Sequence, residues 1–245
     1  MNWEAVILFL IPLTTGLIAL SVRQHNKRLV ELILTFSGAY LFALSITHLV
    51  PDLFYHAEKP IFFSIGLFIL AGFLIQLILD FFSKGVEHGH IHIQQSPTFL
   101  PTVMIGLCIH SLIEGIPLGL EDHLIDHGDH VHHNNNLLYG IIIHKVPAAF
   151  ILGLLLNKLE ISELKKSGSI FLFASMSPLA MITAQLWDGS TEILPFIMAI
   201  VVGSFFHIST TILFEASTKS HKYGWYKTLA LILGSGLALL SLNAH

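Results

Sequence analysis

Charge is scarce in this chain. Only 11% of its 245 residues are Asp, Glu, Lys or Arg, 53% are hydrophobic, and the mean hydropathy is +0.73. A soluble domain carries about 25% charged residues, so an ordinary water-soluble fold is excluded and a membrane protein is the default reading. Cysteine is nearly missing: Cys108 stands alone, and an internal disulfide is impossible. There is no basic block and the net charge is −4, which leaves a nucleic-acid partner without the electrostatic footprint it needs. What the chain has in surplus is histidine, with 16 copies. An apolar protein has little use for so many imidazoles unless they bind something or titrate.

A helix needs about 20 apolar residues to cross the hydrocarbon. Eight such stretches are expected, near 4–22, 31–50, 60–82, 99–120, 137–156, 168–187, 193–214 and 226–243. The first opens with Glu4 and contains Pro12, without a basic leader or a small-residue cleavage site, so it is expected to remain as helix one. Cytoplasmic loops keep Lys and Arg. Arg23, Lys27 and Arg28 follow helix one, Lys84 follows helix three, Lys158, Lys165 and Lys166 follow helix five, and Lys219, Lys222 and Lys227 surround the start of helix eight. These ten of the 12 basic residues share one side, which puts both termini outside. The expected fold is thus an all-α integral membrane domain over 1–245 with eight transmembrane helices, interrupted by polar loops at 84–98 and 121–136. Helices one to three and six to eight are candidates for an inverted pair around four and five, with Pro12 answering Pro178. A plasma membrane and a bacterial inner membrane fit this pattern equally.

Ionisable groups inside a bilayer are costly and mark functional sites by default. His110 and Glu114 in helix four are one turn apart on one face, a spacing suited to a shared cation, and His144 in helix five lies at a similar depth. Two imidazoles and a carboxylate suit zinc and accept iron, manganese or cadmium. Three protein ligands also leave the shell incomplete, as a transported ion requires. Pro117 and Pro147 free the carbonyls of Ile113 and Ile143. The competing reading is a polar cluster that only joins helices. Lys145 either neutralises Glu114 or holds the place of a second cation, and Ser111, beside His110 on helix four, is a further neighbour of the site.

Two loops are rich in histidine. His88, His90 and His92 lie in the inner segment, and His123, His127, His130, His132 and His133 in the outer one, where Asp122, Asp126 and Asp129 join them. Such composition reads as weak metal capture, against the plainer alternative of solvated loops. His48 and Asp52 are candidates for the entrance. His207 is a candidate to line the pathway, although a hydrogen bond to a neighbour is the favoured expectation, and for Asp80 contact with water is expected.

The residues His110-Ser-Leu-Ile-Glu114-Gly115 and His144-Lys-Val-Pro-Ala-Ala149 resemble the two metal-binding motifs of the ZIP (Zrt/Irt-like) family of metal transporters. Helix two, from Phe36 through His48-Leu-Val-Pro-Asp52, and helix seven, at Gly203-Ser-Phe-Phe206, are similar to further family segments. Lys145 and Ala148 stand where the family has further ligands, a departure similar to a subgroup with His-Lys in helix five. The resemblance implies a single transport metal with Lys145 replacing the second, a 3+2+3 helix arrangement, a homodimer, and elevator-like alternating access that carries metal into the cytoplasm. No prosthetic group is implied; the divalent ion is the substrate. An intramembrane metal-dependent hydrolase with Glu114 as base is the alternative from another class, though no H-E-x-x-H and no nucleophile accompany it. A metal-responsive sensor or channel is a third.

Overall fold

The computed structural model describes residues 3–24, 26–55, 61–89, 96–124, 135–186, 193–218 and 224–242. They form eight long helices and no strand among the described residues: α1 Trp3–Leu20, α2 Lys27–Tyr55, α3 Phe62–Ser83, α4 Phe99–Leu124, α5 Asn135–Asn157, α6 Glu163–Gln185, α7 Leu194–Thr218 and α8 Gly224–Leu242. Seven are long and apolar enough to cross a bilayer, and Gly224–Leu240 of α8 falls just short. The protein is an integral membrane protein built from helices, the only open-ended element whose backbone polar groups are satisfied in lipid.

Several helices outrun their hydrophobic stretches. α6 begins at Glu163, not near 168, and α4 and α7 continue to Leu124 and Thr218, beyond 120 and 214. The reason is that hydropathy marks where side chains leave hydrocarbon, whereas the backbone ladder continues into polar residues. α2 departs most. Its start is set by Asn26, whose Oδ1 accepts from the amides of Arg28 at 3.0 Å and Leu29 at 3.4 Å, so the helix begins at Lys27. Near its far end Pro51 has no amide to offer. The helix widens there into one π turn, Ser45–Leu49, with the Val50 amide bonding back to Ser45, and then resumes over Val50–Tyr55.

Packing places α4 and α5 at the centre. The apolar windows of these two are 67% and 72% buried, against 22% for α3, whose flanks carry exposed Leu70 and Ile78. Around them α1 packs on α5 and α6, α6 on α4, α3 on α7, and α2 on α7 and α8. The α4–α6 contact is close because of Gly115: a Cβ at this position would lie 2.2 Å from the carbonyl oxygen of Ser177. Bulk is excluded where α4 meets α6.

Candidate metal centre

α4 carries His110 and Glu114 one turn apart, and α5 brings His144 and Lys145 to them from a distant part of the chain. All four side chains are at most 1% exposed. Glu114 divides its two oxygens. Oε2 accepts from the Lys145 ammonium at 3.0 Å, while Oε1 faces His110 Nε2 at 3.3 Å and His144 Nε2 at 3.6 Å. Those two separations match the edge of a tetrahedral shell, about 3.3 Å for bonds of ~2.0–2.1 Å. The three donor atoms lie within 4.8 Å of one another. Among the described residues Glu114 Oε1 and both nitrogens of His144 have no hydrogen-bond partner. Buried polar atoms are rarely left so unless an ion or ordered water completes them. The imidazole rings stand perpendicular with centroids 5.9 Å apart, each aiming a nitrogen at the same point without stacking.

Lys145 is held on three sides. It donates to Glu114 and to Ser111 Oγ, and its ammonium lies 4.6 Å from the centre of the Phe173 ring. Ser111 is itself fixed by α6, donating to the Phe173 carbonyl at 3.2 Å and lying 3.1 Å from Ser177 Oγ. Lys145 and Glu114 therefore form an ion pair, in line with one of the two roles open for Lys145, and the pair occupies only one carboxylate oxygen.

A second group joins three residues that the sequence reading took separately. Asp80 of α3, His88 of the short Val86–His88 turn and His207 of α7 converge, with Asp80 Oδ1 3.4 Å from His88 Nε2 and Asp80 Oδ2 3.9 Å from His207 Nε2. Their donor atoms too lie within 4.8 Å of one another. The simple hydrogen bond expected for His207 is not found: neither ring nitrogen has one among the described residues, and the ring packs edge-on against Phe73 at 5.0 Å. His88, expected as a metal-capture residue of the polar inner segment, is 5% exposed. Gly85 and Gly89, at φ 69° and 95°, turn the chain so that His88 folds back under α3. Burial pushes its imidazole down to about 3, against the pull of Asp80, and so keeps it neutral and able to offer a lone pair. The sequence signals for this group were the metal-capture reading of His88, an intramembrane histidine and two glycines bracketing Val86–His88; pairing Asp80 with His207 needed the α3–α7 contact.

Other candidates stand apart. His48 is buried in the π turn with Nδ1 3.1 Å from Thr47 Oγ1, and Asp52 is exposed; neither joins a three-ligand group among the described residues. His90, His92, His127, His130, His132 and His133 lie outside the described residues, as does the side chain of His123. Cys108 is only partly buried and takes no part in either group.

The profile of the family described as ZIP zinc transporter matches residues 83–242, a stretch holding His110, Glu114, His144 and Lys145. Protein zntD of Dictyostelium discoideum is 30% identical over 179 residues, covering 65% of this chain and 25% of that protein. The chain thus spans only a part of the length of the curated relative it matches.

Proposed function

Because the chain belongs to the ZIP zinc transporter family, we propose that it carries a divalent metal ion, zinc first, across the membrane through His110, Glu114 and His144. The observation that carries this reading is the shared oxygen: Glu114 Oε1 sits at tetrahedral-edge distances from two imidazole nitrogens while Lys145 occupies Oε2. Lys145 holds a fixed charge where a second cation would otherwise neutralise the carboxylate, so one ion is bound at a time. Three ligands in place of four leave a position for water or for an incoming ligand, which keeps release fast.

The Asp80, His88 and His207 group supports a further station. It lies at the end of α3 from which Lys84 and the His88 turn lead away, and His88 also borders a cavity lined by Glu31, Glu215 and Lys227. An ion leaving Glu114 would meet a second borderline donor set before the carboxylates at the surface. With the basic loops on the cytoplasmic side, this direction is inward. Alternating access by an elevator-like shift of a unit containing α4 and α5, a homodimer and outward-facing termini complete the proposal, and the tight Ser177–Gly115 packing supports α6 moving with α4.

Uptake of radioactive zinc into proteoliposomes of defined orientation tests the reading. The parent is expected to accumulate zinc with saturation, and Glu114→Ala and His144→Ala to lose it at matched incorporation. Equal uptake by all three would reduce the cluster to a helix joint. Zinc binding by the parent without movement would favour a sensor.

A further inference from the structure

Away from both histidine groups, a cavity of about 320 Å³ opens where α1 and α2 part. Its sides are Val22, Val30 and Ile33 and its floor is Val146, Pro147 and Phe150 of α5. α5 packs on both α1 and α2, α1 otherwise packs on α6 and α2 on α7 and α8, so the gap belongs to the arrangement of the helices. The walls are apolar and the rim residues Leu29 and Ile33 are 55% and 40% exposed. In a bilayer such a groove faces hydrocarbon.

The mouth of the groove is polar and built. Gln24 and Asn26 line it. Asn26 caps α2, and Asn157 at the end of α5 donates to the Val22 carbonyl at 3.3 Å, tying the segment between α1 and α2 to the floor helix. Around this mouth stand Arg23, Lys27 and Arg28, all exposed, and no acidic residue occurs between Glu4 and Glu31. Glu31, the next acid along the chain, pairs with Lys227 at 3.2 Å. A lipid whose acyl chain fills the groove brings its phosphate to the level of these three cations, and basic pockets between transmembrane helices select anionic headgroups.

We propose that the groove between α1, α2 and α5 is a binding site for an anionic phospholipid, with one acyl chain on Val146 and Pro147 and the headgroup against Arg23, Lys27 and Arg28. The chain contacts α5 immediately beyond His144 and Lys145 in sequence, and it separates α2 from α1. A headgroup-selective lipid at this place acts on the helix that carries half of the metal centre, so zinc uptake depends on the anionic lipid content of the membrane.

The test uses the full chain in bilayer discs made from equal parts of phosphatidylcholine and phosphatidylserine, with the lipids that stay bound identified by native mass spectrometry. Phosphatidylserine is expected to be retained in preference to phosphatidylcholine. The R23Q/K27Q/R28Q variant is expected to lower that preference on the order of a hundredfold, at about fivefold per basic residue near a membrane surface. Val30→Trp, which fills the groove and leaves the cations, should expel both lipids. Equal retention of the two lipids by the parent overturns the proposal without any variant. Unchanged preference in the triple variant, or retention in Val30→Trp equal to the parent, overturns it as well. None of these outcomes touches the zinc-site reading, which rests on uptake by the Glu114 and His144 variants.

Discussion

Replacing Lys145 with methionine removes the ammonium 3.0 Å from Glu114 Oε2 and keeps an unbranched apolar stem of similar reach. Both side chains are almost wholly buried, at 0% and 1% exposure, so water cannot take over the lost partner. At an effective dielectric of about 20, two unit charges at that distance attract by about 5.5 kcal/mol. Breaking one half of a buried pair typically costs about 3–5 kcal/mol, because the remaining charge is left without compensation. For a chain of this size each kcal/mol moves the melting temperature by about 2–4 °C, so the metal-free variant is expected to melt about 6–20 °C below the parent. Zinc changes the comparison. A cation on Glu114 Oε1 supplies the charge that methionine lacks, and the stabilisation given by zinc must therefore be larger in the variant than in the parent. Melting of purified protein in detergent, followed by intrinsic fluorescence with chelator and with zinc, reads both effects. Equal melting of the two proteins in chelator, or an equal zinc shift, would refute the assignment of Lys145 as the counter-charge of an ion-binding Glu114.

Gly115→Val pushes its first carbon to 2.2 Å from the Ser177 carbonyl, and the forced separation of α4 from α6 is expected to destabilise the protein by at least the ~1–3 kcal/mol of ordinary overpacking. A melting temperature equal to the parent's would show that the two helices are not locked there. Glu114→Gln keeps the shape of the side chain and removes its charge; zinc affinity measured by isothermal titration is expected to fall by at least ~10–100-fold, the loss that even outer ligand partners produce. His207→Ala separates the two histidine groups: uptake should slow while zinc protection of His110 and His144 from carbethoxylation stays at the parent level. Loss of that protection would place His207 in the binding site itself.

The architecture was legible because the bilayer imposes a length on every crossing helix. Eight apolar stretches had to be helices, and the residues that tolerate burial least, His110, Glu114, His144 and Lys145, announced themselves by lying inside them. Spacing within one helix placed His110 beside Glu114, since residues one turn apart share a face. Helix ends were less legible, as at Lys27, Glu163 and Thr218, because capping and backbone bonding govern them where hydropathy is silent. The division of Glu114 between Lys145 and two imidazoles came only with the crossing of α4 and α5, which sets which oxygen faces which partner. Asp80, His88 and His207 are separated by up to 127 residues and lie on two helices and a turn, and no periodicity links them. Their meeting depends on the α3–α7 contact and on the left-handed turn at Gly85 and Gly89. Sequence alone marked the ionisable groups inside the apolar stretches that must pay the cost of burial in a membrane, since that cost belongs to each residue; the tertiary structure decided which of them pair and brought His88 in from a polar segment, since pairing is a matter of distance.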